Sequence, residues 1–285
     1  MNGQDAPYSS ISGVVIMAAK DEPVLYVAEP FWRDGWSDLG HGFVEWWQAG
    51  SELLFPPCCA FCDADFVPAA GEPHLCPSCL SRILRPLGSL CQRCAMQLPE
   101  VAGEPVCSGC QQSRLRFDQV LPLGFYRDDL RQVVLQMKAW RGEPLAAAIG
   151  KLMVERLDPR PVDVTPDLVV PMPMHWQRHM SRGTNSPASL AWSMHLASDL
   201  PSPVSLLSYR RNIKKQGMLS SAERLRNVRG AFRVSTSYAI KGARVLLVDD
   251  VLTTGATASE AARELKKAGA ASVVVAVVAR AIGRP

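Results

Sequence analysis

The chain has 285 residues, of which 47% are hydrophobic and 20% charged. That composition is globular, with enough apolar material for a buried core, and it excludes a wholly disordered, collagen-like or coiled-coil protein. At roughly 100–200 residues per domain, the length predicts two domains, or one large domain with a small module.

The net charge of +4 is unevenly spread. Residues 1–45 hold two basic and seven acidic side chains, for −5; the rest hold 29 and 20, for +9. A basic body predicts anionic partners, phosphates or nucleic acid. No apolar run reaches the roughly 18 residues of a membrane helix, so no membrane span is expected. The stretch Ile11–Ala19 is the nearest thing to a secretory signal. No basic segment precedes it, so a cytoplasmic protein is expected.

In chain order, residues 1–50 show no clear period and are expected to be an N-terminal extension, partly disordered. A short helix over Gln48–Leu54 is stopped by Phe55-Pro56-Pro57. Residues 51–115 form a module rich in Cys, Pro and Gly, with a short helix suggested by Leu80, Ile83, Leu84 and Leu87 and turns over 94–112.

From residue 116 to 285 the pattern alternates between strands and helices. Val120–Tyr126 predicts a strand. Asp128–Trp140 carries Leu130, Val133, Val134, Met137 and Trp140 on one helical face. Pro144–Leu157 and Pro187–Leu200 predict further helices, the latter capped by Asn185 or Ser186. Strands are expected at Asp167–Val170, Arg244–Val248 and Ser272–Ala279, with a helix over Ala258–Ala268 ended by Gly269. Continuous Val/Ile/Leu strands between helices predict an α/β fold, a parallel sheet covered on both faces. The last β-α-β unit is expected to be a right-handed crossover.

All nine cysteines lie between residues 58 and 110. Cys59-x-x-Cys62 pairs with Cys76-x-x-Cys79, and Cys91-x-x-Cys94 with Cys107-x-x-Cys110, as two tetrahedral thiolate sites for structural Zn²⁺. A cross-braced pairing is the alternative, and redox dithiols or an iron–sulfur cluster are the competing chemistries. Zinc would replace a core the module lacks. Cys58 is left as a spare thiol, and His74 is a minor candidate ligand.

The most specific motif is Val245-Leu246-Leu247-Val248-Asp249-Asp250-Val251-Leu252-Thr253-Thr254-Gly255-Ala256-Thr257. A buried strand delivers two acids to its carboxyl end, and a Thr/Gly loop then feeds a helix. Backbone amides, hydroxyls and the positive helix end suit a phosphate, while the acids suit vicinal hydroxyls. This resembles the signature of the type I phosphoribosyltransferases. The resemblance implies binding of phosphoribosyl pyrophosphate (PRPP) together with Mg²⁺. It places the ribose hydroxyls on Asp249 and Asp250, and the 5-phosphate on Thr253, Thr254, Gly255, Ala256 and Thr257.

A cysteine-rich front end joined to that signature is similar to the ComF family, over about residues 50–282. Further matches are Lys138, Pro171-Met172-Pro173, Arg182-Gly183-x-Asn185, Gln216, Leu219, Arg224, Asn227 and Gly230-Ala231-Phe232. Thr184, Ser186, Ile213 and Lys214 depart from the family pattern.

The resemblance implies a type I phosphoribosyltransferase-like domain behind a double zinc ribbon. It implies catalytic roles for Asp249, Asp250, Arg182 and Arg224, with the basic segment 209–233 as a closing loop. It further implies a part in DNA uptake in natural transformation, with single-stranded DNA and DNA-uptake proteins as partners. The alternative is a non-catalytic protein that keeps the fold and binds single-stranded DNA or senses PRPP. Acceptor and oligomeric state are not legible. Trp140, Trp176 and Trp192 are expected in the core, His195 at a packing or surface position, and His175 and His179 near the pyrophosphate.

Overall fold

The computed structural model describes residues 14–18, 23–27, 57–99, 105–113, 115–157, 165–174, 185–211 and 226–282. The chain divides into two compact units, Met1–Pro57 and Cys58–Pro285. In the first, β1 (Val14–Ala18) and β2 (Pro23–Val27) form an antiparallel pair, Val14 opposite Val27 and Ala18 opposite Pro23. The sequence shows no period there, because both stretches are short and continuously apolar.

The second unit is built on a parallel sheet with strand order β3-β8-β7-β4. These are Gln119–Phe125, Ser272–Arg280, Arg244–Leu252 and Leu168–Pro171. Side chains alternate between the two faces, and both faces are covered. On β8, Val274, Ala276 and Val278 enter one core cluster, while Val273, Val275 and Val277 enter the other. On β7, Leu246 and Val248 divide in the same way from Val245 and Leu247.

One face is packed by α3 (Asp128–Met137), α4 (Glu143–Leu157) and α5 (Ser186–Leu196). The other carries α6 (Ala256–Lys267) and a small antiparallel pair, β5 (Leu207–Tyr209) and β6 (Phe232–Val234). Helices α4 and α5 meet at Gly150. A Cβ there would fall 2.6 Å from the Ser193 Cβ and 2.9 Å from the Leu190 carbonyl.

The cysteine-rich segment contributes two short helices, α1 (Pro77–Ile83) and α2 (Ser108–Gln112), the second lying where turns were expected. It does not stand apart from the sheet. Cys59, Phe61, Leu75, Cys79 and Ile83 share the cluster of α3–α5, and Ala95 shares that of α6. Arg82 pairs with Asp129, and Arg85 reaches Asp128 at 3.2 Å, tying α1 to the start of α3.

Four expectations need correction. Helix α3 stops at Met137 rather than Trp140. The chain then turns, with the Gly142 N–H donating to Ala139 O at 3.0 Å, and this leaves Trp140 80% exposed. Trp192 is also exposed, while Trp176 lies outside the described residues. Helix α5 ends at Leu196, short of Leu200, where Ser198 and His195 turn back onto it. Strand β7 runs past Val248 to Leu252, because β8 continues to pair with it there, Leu252 opposite Arg280.

Candidate functional site

The site arises from a mismatch in strand length. On one side β7 stays paired to β8 through Leu252; on the other β4 ends at Pro171, opposite Val248. Met172 N–H donates to Val248 O at 2.8 Å, and there the ladder ends. Asp249 and Asp250 follow immediately, on the edge that β4 has vacated. A crevice past the carboxyl ends of parallel strands is where open α/β sheets take ligands.

The two acids differ. Successive strand residues point to opposite faces. Asp250 Oδ2 pairs with Lys138 Nζ at 2.8 Å, Lys138 being the C-cap of α3. Asp249 Oδ1 accepts the Asp250 N–H at 2.8 Å. Burial, and then the charge of Asp250, push the Asp249 carboxyl up to about 8, against a smaller downward pull from Lys138. One carboxylate is neutralised by a lysine; the other holds its proton near neutral pH.

Beyond Leu252, Thr253 and Thr254 are exposed and Gly255 opens α6 with φ +78°. That left-handed turn swings the following amides to the helix start, where no intrahelical acceptor exists for them. Phe117 lies under the glycine, 3.3 Å from where a Cβ would stand. Thr254 Oγ1 accepts the Ala256 N–H at 3.4 Å. Asp249, Asp250 and the 253–257 loop are thus contiguous. The catalytic candidates Arg182 and Arg224 lie outside the described residues, as do His175, Arg178, His179, Lys214, Lys215, Gln216 and Leu219.

Beside this crevice is a cavity of about 590 Å³, lined by Pro171–Met174, Asn185, Tyr209 and Arg210 among others. Asn185 Oδ1 is buried there and has no hydrogen-bond partner among the described residues. The stem of the expected closing loop borders the same cavity. Arg210 N–H donates to Ala231 O at 2.7 Å, and Arg211 holds the carbonyls of Asn227 and Arg229 at 2.9 and 2.8 Å. Glu260, set by Arg263, accepts the Gly230 N–H at 2.5 Å, so α6 anchors the far side of the stem. His195 bonds Leu200 O and Ser202 and is far along α5, in keeping with a packing role.

The cysteines fall into two groups, 59/62/76/79 and 91/94/107/110, the ligand atoms of each within 4.8 Å of one another. This is the consecutive pairing. Within the groups Cys62–Cys76 and Cys94–Cys107 sulfurs stand 3.8 and 3.6 Å apart. Four thiolates at about 2.3 Å from a tetrahedral zinc are ~3.8 Å from each other, so the donor set and its spacing fit that ion. Cys58 and His74 are exposed and outside both groups.

The two groups share a plan. Asp63 N–H donates to Cys59 O and Ala95 N–H to Cys91 O, each at 2.9 Å. Asp63 and Ala95 both take positive φ, 58° and 54°. Cys76 N–H donates to Cys59 Sγ and Cys107 N–H to Cys91 Sγ, each at 3.3 Å. The segment is a structural duplication. Burial raises the Cys59 thiol, but the N–H groups of Cys76, Cys62 and Phe61 outweigh it and bring the thiol down to about 6. Cys91 is likewise brought to about 7 by Cys107, Cys94 and Arg93. Burial and neighbouring thiols push Cys79 and Cys110 up.

Two residues escaped the sequence reading. The family resemblance includes Lys138 but gives it no role, and Arg280, an arginine closing an otherwise apolar Val/Ala strand, is the one signal the sequence offers for its own role.

Comparison with known proteins agrees with this architecture. A family model described as a double zinc ribbon domain matches residues 51–111, and one described as a phosphoribosyl transferase domain matches 187–284. The DNA utilization protein YhgH of Escherichia coli K12 is 29% identical over 233 residues, covering 81% of this chain and all of that protein. Competence protein F of Haemophilus influenzae is 26% identical, over 73% of this chain and 90% of its own. Competence protein ComFC of Bacillus subtilis is 29% identical, over 71% and 82%. Among solved structures, a glutamine PRPP amidotransferase from B. subtilis matches 48% of this chain and only 27% of its own, at 24% identity and a TM-score of 0.32.

Proposed function

We propose, for a chain that joins a double zinc ribbon to a phosphoribosyl transferase domain and is a homologue of the ComF/ComFC and DNA utilization proteins, that the β7 crevice binds PRPP. The observation that carries this reading is the placement of Asp249 and Asp250 on the edge that β4 leaves open, directly before a glycine-turned helix start. Asp249 and Asp250 accept the ribose hydroxyls. The amides and hydroxyls of Thr253, Thr254, Gly255, Ala256 and Thr257 take the 5-phosphate. Mg²⁺ bound with the pyrophosphate would neutralise part of its charge. Lys138 balances Asp250 and keeps the paired acids from repelling the incoming phosphates.

With an acceptor present, the reaction is displacement of pyrophosphate from C1, and the loop between β5 and β6 excludes water. Arg182 is proposed to face the pyrophosphate, and Arg224 to act from the closing loop. Asn185, whose buried amide oxygen at the neighbouring cavity has no partner among the described residues, is suited to a polar group of the ligand or acceptor.

A second reading is favoured by the names of the relatives and by the charge of residues 46–285, +9. In it the fold serves DNA uptake, with single-stranded DNA tracking the basic surface and PRPP acting as a signal. Calorimetric titration of Mg²⁺–PRPP into wild type and Asp250→Asn tests the site. Micromolar binding lost in the variant supports it, and no heat in the wild type sinks it. Pyrophosphate release on adding nucleobases or amines then favours an enzyme. Salt-dependent single-strand binding without release favours the second reading.

A further inference from the structure

The second cysteine group stands against the 253–257 loop. Arg280 closes β8 and is only 5% exposed. Its Nε donates to Cys94 O at 2.8 Å. Its Nη1 donates to Leu252 O at 3.0 Å, to Ala281 O at 2.5 Å and to Thr253 O. One guanidinium therefore grips the carbonyl of a metal-ligand residue and two carbonyls of the signature segment. A buried cation needs acceptors or a counter-charge. Among the described residues Arg280 has no carboxylate partner, so carbonyl oxygens serve. A tetrathiolate metal centre, net negative, lies one residue's backbone away.

A second strut runs beside it. Arg93, inside the Cys91-x-x-Cys94 turn, donates through Nη2 to Leu115 O at 2.5 Å. Leu115 and Phe117 lie 3.6 and 3.3 Å from where a Gly255 Cβ would stand. Ala95, 1% exposed, joins Phe117 and Leu252 in one cluster. The first cysteine group packs into the opposite cluster, with α3–α5.

The geometry points to Arg280 as a positioning residue that couples metal occupancy of the second cysteine group to the shape of the anion-binding loop. With metal bound, the Cys91–Ala95 turn is rigid and Arg280 is held in place. The Leu252 and Thr253 carbonyls are then fixed, and with them the direction of the amides that follow. Without metal, Cys94 O is free to move and the loop loses a strut. The first cysteine group has no such link among the described residues and serves as an internal control. Only the affinity arm of the test rests on the phosphate-binding reading.

The experiment is amide hydrogen exchange over residues 252–258 of the full chain, with zinc content and circular dichroism measured alongside. Wild type is compared with Cys107→Ser, Cys62→Ser, Arg280→Met and Arg280→Lys. Exchange at 252–258 should quicken about tenfold or more in Cys107→Ser and Arg280→Met, partly in Arg280→Lys, and not in Cys62→Ser. Mg²⁺–PRPP affinity should fall in the same order. Loop protection that is unchanged in a folded Arg280→Met, or lost equally in the two cysteine variants, overturns the proposal. Should the substitutions unfold the protein, stepwise chelation of wild type decides: loop exchange must follow loss of zinc from the second group. If wild type fails to bind PRPP, the proposed function falls while the exchange result still decides the coupling.

Discussion

Lys138 Nζ stands 2.8 Å from Asp250 Oδ2, at the point where β7 outruns β4. Both side chains are largely buried, so the pair is screened less than a surface one. Removing the cation leaves the Asp250 carboxylate uncompensated and facing an anionic ligand. Lys138→Met should therefore weaken Mg²⁺–PRPP binding by about tenfold or more, an effect of the size expected for a lost charge-assisted contact. Titration calorimetry checks this. An affinity equal to wild type would show that Lys138 is only a structural cap.

The Asp249 carboxyl gives a pH dependence. Its ordinary value is 3.8 and burial and Asp250 raise it to about 8 in the folded chain. The folded state thus binds more protons than the unfolded state between these values. This group's contribution to stability falls as pH rises from about 4 to about 8. Asp249→Asn should raise the midpoint of thermal unfolding relative to wild type more at pH 9 than at pH 5. Ligand binding has the opposite sign. A diol or cation that needs the ionised carboxylate releases a proton, so affinity should improve as pH rises toward 8 and level off above it. Lys138 pulls this carboxyl down, so Lys138→Met should move the plateau to higher pH. Titrations at several pH values, with Asp249→Asn as the flat reference, read both effects.

The metal assignment predicts two zinc ions per chain. Cys58→Ser should keep both, because Cys58 is exposed and outside the groups. Cys79→Ser should lose one. The first group shares the core of α3–α5, so that loss should also lower the unfolding midpoint. Metal release into a chromogenic chelator, with thermal melts, makes the measurement. Retention of two zincs in Cys79→Ser would indicate a different ligand set.

Much of this was legible in the residues. The apolar runs of β7 and β8 alternate in space but not in composition, because both faces of the sheet are covered, and that uniform reading identified a parallel sheet. The Cys-x-x-Cys spacings named the ligands, since each pair forms half of a tetrahedral thiolate site and four pairs complete two. Strand ends were less visible. Nothing within Asp249–Leu252 shows that the strand continues; its continuation is set by β8, more than twenty residues later. Trp140 fits the helical period of α3, yet the helix ends at Met137 and the tryptophan faces solvent. The contacts of Arg280 with Cys94 span 186 positions and only the fold brings them together.

Gly255 tests the loop most directly. Its φ of +78° is a conformation that side chains disfavour by roughly 1–2 kcal/mol. An added Cβ would also stand 3.3 Å from two ring carbons of Phe117, which is buried and cannot withdraw freely. Gly255→Ala should thus cost about 1–3 kcal/mol in denaturant unfolding and turn the first amides of α6 away from the ligand. The two causes separate in a double variant. Phe117→Leu in the Gly255→Ala background relieves the contact but not the backbone strain, so it should restore part of the stability lost to crowding. It should leave Mg²⁺–PRPP affinity as low as in Gly255→Ala alone. Full recovery of binding in the double variant would place the importance of Gly255 in packing against Phe117 rather than in the direction of the amides.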